Sequence, residues 1–433
     1  MKRKFWEELK EWKEKQSETP LMVVGARQIG KTYIIDKFCK ENYKDYIYLN
    51  LMDEEGIVEI FNESIPTENK VKKMELLLGR LITEETIIFF DEIQESEKLI
   101  SALKYFCESK KHYNIICAGS LLGVKLKRFS SSFPVGKVII KYMYPMTFEE
   151  FLDAIGYANI IPEIRKCFDT NTKMSNPIHE KLLDYYRLFI ATGGMPIAVK
   201  NIVQNDLEIL KFNNNLVTSI IDAYFADMKK YTLNYYENIK IEKLYKNIPS
   251  QLAKENKKFQ FSKIEQYARK REFESSLEWL IASQLVIPCY MVERFETPLK
   301  GFMDESKFKL YLSDTGILTE LLEIPRNMVL LNSNFQYKGV ITENYVANEL
   351  KAKEISLYYW AKNQVAEIDF LIDTSQGVIP IEVKASENKK SRSLNYYIKR
   401  NKTKLAYRIS ANNFGLVNNI KSIPLYAVFC IEK

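Results

Sequence analysis

Along the first 150 residues, short apolar runs alternate with amphipathic stretches. Leu21–Val24, Tyr46–Met52, Thr86–Phe90, Tyr113–Ala118 and Val138–Tyr142 are dense in branched and aromatic residues, and each predicts a strand. Between them, Thr32–Cys39, a long stretch ending at Arg80, and Lys98–Cys107 read as helices. Ahead of these, Phe5, Leu9 and Trp12 form one stripe of an N-terminal amphipathic helix. Strands alternating with helices predict an α/β fold, a parallel sheet covered on both faces.

The pattern changes near residue 150. Phe148 to about Tyr236 is helical in period, with Gly193-Gly194-Met195-Pro196 between the helix Glu180–Ala191 and the next one. Ile239–Val292 predicts three helices and then a strand. They are Lys243–Ala253, a segment capped by Ser262 and running to Ala268, Phe273–Ser283, and extended Gln284–Met291. Three helices before a β hairpin is the layout of a winged helix. Lys309–Leu312 and Ser313-Asp314-Thr315-Gly316 lead into the last part. There a helix, Ile341–Lys353, precedes two strands, Glu367–Asp373 and Val378–Ala385, joined by the turn Thr374–Gly377. In the first strand Ile368, Phe370 and Ile372 alternate with Glu367, Asp369 and Leu371; in the second Ile379, Ile381 and Val383 alternate with Glu382 and Lys384.

Chemistry sits at the ends of the early strands. Directly after Leu21–Val24 comes Gly25-Ala26-Arg27-Gln28-Ile29-Gly30-Lys31-Thr32, a G-x4-G-K-[ST] phosphate loop between a strand and a helix. Its glycines let backbone N–H groups wrap a triphosphate, Lys31 reaches the outer phosphates, and Thr32 offers a hydroxyl to Mg2+. Thr86–Phe90 ends in Asp91-Glu92, a Walker B pattern. Asp91 would support Mg2+, and Glu92 would polarise the attacking water, the feature that separates a hydrolase from a passive binder. Tyr113–Ala118 ends in Gly119-Ser120, where Ser120 could sense the γ-phosphate. ATP and Mg2+ are the expected cofactors.

At 433 residues and 46% hydrophobic content, the chain is long enough for two to four domains with real cores. No apolar run reaches spanning length, and Met1–Lys10 lacks the apolar stretch of a signal peptide, so no membrane partner is expected. The six cysteines are scattered without a CxxC pair, which fits free thiols in a cytoplasmic protein. Two histidines, His112 and His179, leave little room for a zinc site or a histidine-based triad. The net charge of +7 is mild, but its distribution is uneven. Lys243–Arg271 carries nine basic residues against two acids, and Ser386–Arg408 eight against one, which points towards nucleic acid.

In the last part, a hairpin would place Asp369, Glu382 and Lys384 on one polar surface, and Glu343 on the preceding helix adds a third acid. Clustered carboxylates bind Mg2+, and a nearby lysine can orient water, the chemistry of phosphodiester cleavage. The D-x(12)-E-x-K spacing resembles the PD-(D/E)xK restriction-endonuclease-like superfamily.

Taken together, the chain resembles a prokaryotic group of AAA-type ATPases with a C-terminal domain of unknown function. The resemblance rests on GARQIGKT, FFDEIQ (Phe89–Gln94), AGSLLGV (Ala118–Val124), FPVGKV, YPMTFEEFL, GGMP, LYLSDTGIL, TENYVANEL, EIDFLI and IEVKAS, and so covers nearly the whole chain. It implies an AAA-type P-loop core over 1–150, a helical lid over 151–238, a winged-helix-like unit over 239–300, and a restriction-endonuclease-like domain over 301–433. Where relatives carry Gly-Arg, this chain has Gly136-Lys137, and Arg128 is the alternative cation for a finger. A finger supplied in trans would require a homo-oligomer. The leading expectation is an ATPase that couples nucleotide state to DNA binding by its C-terminal half. Its rivals are an ATP-gated metal-dependent DNA nuclease using Glu343, Asp369, Glu382 and Lys384, and a signalling switch that holds a protein partner.

Overall fold

The early apolar runs become five parallel strands: β1 Leu21–Val24, β2 Asp45–Asn50, β3 Thr86–Asp91, β4 Asn114–Gly119 and β5 Ile139–Tyr142. Their order is β2-β3-β4-β1-β5. The structure is a computed structural model that describes every residue except 16–17, 110, 121–122, 125–132, 233, 255–256, 332–335, 363–365, 376, 386–391, 402 and 433. The chain divides into two compact units: Lys2–Tyr144 with Ala282–Gln284, and the remainder from Pro145 onwards.

In the first unit the sheet is covered by α1 Phe5–Lys15, α2 Lys31–Asn42, α3 Glu55–Asn62, α4 Thr67–Leu78 and α5 Glu97–Glu108. Every position of β3 and β4 is buried, as continuous apolar strands inside a parallel sheet require. The stripe Phe5, Leu9 and Trp12 is the buried face of α1. The helical stretch expected up to Arg80 is two helices, because Pro66 disfavours helical backbone in the residue before it and opens α4 instead. Phe61 packs edge-on to Phe90 of β3 at 6.1 Å, which ties α3 to the sheet.

The second unit begins with α6 Phe148–Ala154, α7 Ile161–Thr170, α8 Asn176–Thr192, α9 Pro196–Gln204, α10 Asn215–Lys230, α11 Tyr235–Leu252 and α12 Lys270–Ala282. Its strands are β6 Val286–Val292, β7 Met303–Leu312, β8 Tyr358–Lys362, β9 Ala366–Thr374, β10 Gly377–Val383, β11 Ala406–Ser410, β12 Gly415–Val417 and β13 Ile420–Pro424. They form one sheet in the order β12-β13-β11-β10-β9-β8-β6-β7. α13 Thr315–Leu321, α14 Arg326–Leu330, α15 Lys338–Lys351 and α16 Arg392–Asn401 complete it.

Two features differ from the sequence expectation. The hairpin β6–β7 is no free-standing wing: β6 pairs with β8 through Tyr290–Tyr358 and Met291–Tyr359, so the sheet runs across residue 300. The helix expected from Ser262 to Ala268 is a single 3-10 turn, Phe261–Lys263. Phe261 is held by ring contacts to Phe259, Phe273 and Phe308, and Tyr267 takes a left-handed φ of 66°, which ends any helix.

Motifs beyond residue 144 meet inside this second unit. Gly194 N–H donates to Asp314 Oδ2 at 2.6 Å, and Gly194 O accepts from Met146 N–H at 2.7 Å. A Cβ on Gly194 would collide with the Met146 carbonyl, so only glycine fits. Asp314 also caps α13, its Oδ1 accepting the Ile317 N–H at 3.0 Å. Glu349 on α15 accepts the Phe148 N–H at 2.7 Å. No helix among the described residues is long and apolar enough to cross a membrane.

Candidate functional site

β1 ends at Val24, and Gly25–Gly30 turn the chain into α2, whose first residues are Lys31 and Thr32. A Cβ on Gly25 would lie 2.5 Å from the Met143 carbonyl, and Gly30 has φ 90°, so both glycines are dictated by space and backbone. Ile29 is buried and anchors the loop from below. Lys31 Nζ donates to the Gly25 and Ala26 carbonyls at 2.9 and 2.8 Å, so the ammonium spans the loop. The first N–H groups and positive dipole end of α2 point towards the same place by helix geometry.

β3 brings the acids alongside. Thr32 Oγ1 donates to Asp91 Oδ2 at 2.7 Å, and the Tyr48 hydroxyl donates to the same oxygen at 3.2 Å. Burial raises the Asp91 carboxyl above its ordinary range, while the bonds from Thr32 and Tyr48 act against it. Glu92 holds a left-handed φ of 51°, and Gln94 Nε2 donates to Glu92 Oε2 at 2.5 Å. Ser120 is buried one residue beyond Gly119, the register partner of Val24. The C-terminal ends of β1, β3 and β4 therefore gather the loop, Asp91-Glu92 and Ser120. A hydroxyl and a carboxylate at 2.7 Å, with phosphate oxygens to share, fit a hard, oxygen-seeking cation such as Mg2+.

The second constellation is organised differently. Glu343 on α15 is buried, and its carboxylate meets Lys257, Lys309 at 3.3 Å and the Tyr311 hydroxyl at 2.5 Å. Lys309 on β7 is also buried and pairs with Glu367 at 2.6 Å. Asp369 Oδ2 accepts the Val383 N–H at 2.8 Å, while Lys384 pairs with the buried Glu382 at 3.1 Å. Burial would raise the Glu343 carboxyl, but the two lysines outweigh it and hold it down at about 2. Burial, reinforced by the Glu343 charge, pushes Asp369 up to about 6. Lysine ammonium groups thus pair with Glu343 and Glu382, two of the three acids that a metal would need. Among the described residues no group of three acidic, histidine or cysteine side chains is placed to hold a metal ion, so this donor set does not fit one.

Lys309→Met is expected to destabilise the second unit by about 1–3 kcal/mol, because it removes one of the two ammonium partners of the buried Glu343 and the partner of the half-exposed Glu367. Adding Glu343→Gln should recover part of the loss. Thermal unfolding of the two variants reads both effects; an unchanged midpoint in Lys309→Met would refute the assigned role.

Residues 17–152 match the family model described as an AAA domain. This stretch is an AAA-type ATPase domain. Residues 183–327 and 338–428 match two models described as domains of unknown function, DUF8612 and DUF4143. Among solved structures, a Walker-type ATPase of Pyrococcus abyssi is 14% identical, covering 73% of this chain and 94% of its own, with a TM-score of 0.43. The ORC2 protein of Aeropyrum pernix is 11% identical over 72% of this chain and 88% of its own, with a TM-score of 0.39. Cdc6p of Pyrobaculum aerophilum is 12% identical over 74% and 90%, with a TM-score of 0.28. Likenesses this loose do not bear on function. No curated protein matches.

Around the AAA domain's site, three residues went unassigned in the sequence. Gln94 orients Glu92, Tyr48 supports Asp91, and Arg3 ties the loop down by donating to the Ile29 carbonyl at 2.7 Å and the Tyr144 carbonyl at 2.6 Å. Only Gln94, inside the Asp91–Gln94 run, carried a signal. Lys137 pairs with Glu108 at 3.1 Å. Arg128 and Leu121–Leu122 lie outside the described residues, as does part of Ser386–Arg408. His179 packs between the Tyr426 hydroxyl at 2.8 Å and the Ala411 carbonyl at 3.0 Å.

Proposed function

We propose that the AAA domain binds and hydrolyses ATP with Mg2+, and that nucleotide state governs DNA binding by the second unit. The observation that carries the first half is the Thr32–Asp91 bond at 2.7 Å beside a lysine that spans the loop. The loop N–H groups and Lys31 hold the outer phosphates. Thr32 and Asp91 would hold Mg2+, which when bound neutralises charge on the β- and γ-phosphates. Glu92 orients a water and takes its proton, with Gln94 fixing the carboxylate. Ser120, at the end of β4, reads the γ-phosphate.

The DNA half rests on charge. Lys243–Arg271 carries nine basic residues against two acids, on a unit whose Glu343 and Glu382 are already paired with lysines. That pairing weighs against the nuclease reading. Phosphate release should be measured at low salt with Mg2+, with and without plasmid DNA. Stimulation of several-fold is the expected result. Turnover indifferent to DNA, with no DNA bound at low salt, would favour a switch that holds a protein partner.

A further inference from the structure

One face of α11 departs from an ordinary solvated surface. Tyr236, Lys240, Lys243 and Asn247 recur at spacings of four, three and four, so they form one stripe along the helix. The segment 263–272 runs antiparallel beside that stripe. Asn247 Nδ2 donates to the Lys263 carbonyl at 3.2 Å, Lys243 pairs with Glu265 at 3.2 Å, and Lys240 Nζ donates to the Glu272 carbonyl at 3.0 Å. These contacts set Tyr267 and Arg269–Arg271 alongside Lys243 and Lys240.

The tyrosines on this face are unusually open. Tyr235, Tyr236 and Tyr267 are 73%, 77% and 84% exposed. A tyrosine ring normally contributes by burying 150–250 Å2, as a rough figure, so leaving three in water forgoes a large gain. Tyr267 also sits at φ 66°, a backbone region that costs on the order of 1–3 kcal/mol for such a residue. Tyr235 and Tyr236 stand edge to face at 6.3 Å and 68°, so their ring planes point in different directions. Exposed rings interleaved with lysine and arginine are what an unpaired strand requires: rings for its bases and cations for its phosphates. A duplex keeps its base faces inside the stack and offers nothing to the rings. The Lys243–Glu265 pair is exposed, so a phosphate can displace the carboxylate at small cost.

We propose that this face of the second unit binds single-stranded DNA, with Tyr236 and Tyr267 stacking on bases while Lys240, Lys243 and Arg271 meet phosphates. The proposal rests on the DNA reading above and names the form of DNA.

The test uses the full chain, a fluorescent oligo(dT), and a duplex of the same length, by anisotropy at low salt. Tyr236→Ala and Tyr267→Ala are each expected to weaken oligo(dT) binding about tenfold and to leave duplex binding within about twofold. Tyr236→Phe and Tyr267→Phe, which keep the rings, should bind as the parent does. Thermal unfolding of all four variants, matching the parent's, reports intact folding of the second unit, and ATP turnover without DNA should be unchanged. Alanine variants that bind oligo(dT) normally, or that weaken single strand and duplex alike, would overturn the stacking role. If plasmid still stimulates turnover in that case, DNA coupling survives at another surface. If neither DNA form binds and turnover ignores plasmid, both readings fall. Displacement of oligo(dT) by polyglutamate in a tyrosine-dependent manner would also overturn it, in favour of an acidic protein partner.

Discussion

Lys31→Ala is expected to remove tight ATP binding and, with it, turnover. Lys31 is 7% exposed, and its ammonium is held over the loop by the Gly25 and Ala26 carbonyls, so it meets the phosphates already in position. Charge-assisted hydrogen bonds contribute about 1.5–3 kcal/mol each. Losing two such contacts should weaken affinity by about 100-fold or more. The substitution shortens a side chain at the start of α2 and leaves the Ile29 anchor and Gly30 turn untouched, so the fold should persist. Calorimetric titration with ATP checks the affinity, and thermal unfolding without nucleotide checks the fold. Near-normal affinity in a folded variant would remove Lys31 from the phosphate site.

Glu92→Gln should separate binding from chemistry. Glutamine keeps the shape of the side chain and an oxygen for the Gln94 amide, but it cannot take a proton from water. Loss of a general base costs about 100- to 10,000-fold in rate. Affinity should change little, because Asp91, not Glu92, shares the bond to Thr32. The expected pattern is a normal dissociation constant with turnover reduced by at least about 100-fold. A variant that turns over at the parent's rate would displace Glu92 from the mechanism and leave Asp91 as the nearest candidate.

The first unit was legible because its signals are local. Strand, loop and helix follow one another within Leu21–Phe38, and the buried β3 carries Asp91 to its end without help from distant residues. Polar tuning around it was not legible. Tyr48 reaches Asp91 only through the pairing of β2 with β3, and Arg3 reaches the loop from an N-terminal segment separated from it by α1.

In the second unit, the alternation in Glu367–Asp373 and Val378–Ala385 marked β9 and β10, and Thr374 and Gly377 do close their turn. The counter-ions were invisible, because Lys257 and Lys309 lie 86 and 34 residues from Glu343 in the chain. A reading that set only Lys384 beside Glu343, Asp369 and Glu382 therefore expected an open metal site, where the fold also brings Lys257 and Lys309 onto Glu343. The pairing of β6 with β8 is non-local in the same way, so a hairpin that looked like a wing is part of a sheet. The GGMP and SDTG runs stood out without an evident role; Gly194 and Asp314 show that they bind one another.

Hydrolysis of the nucleotide that the loop holds is expected at the Asp91-Glu92 corner. A single-turnover measurement tests it most directly: the parent chain in excess over labelled ATP, with Mg2+, followed for release of phosphate. The bound ATP should be converted to ADP and phosphate, with conversion lost when EDTA removes Mg2+. ATP that stays bound and intact would contradict it, and would make the domain a nucleotide-holding switch.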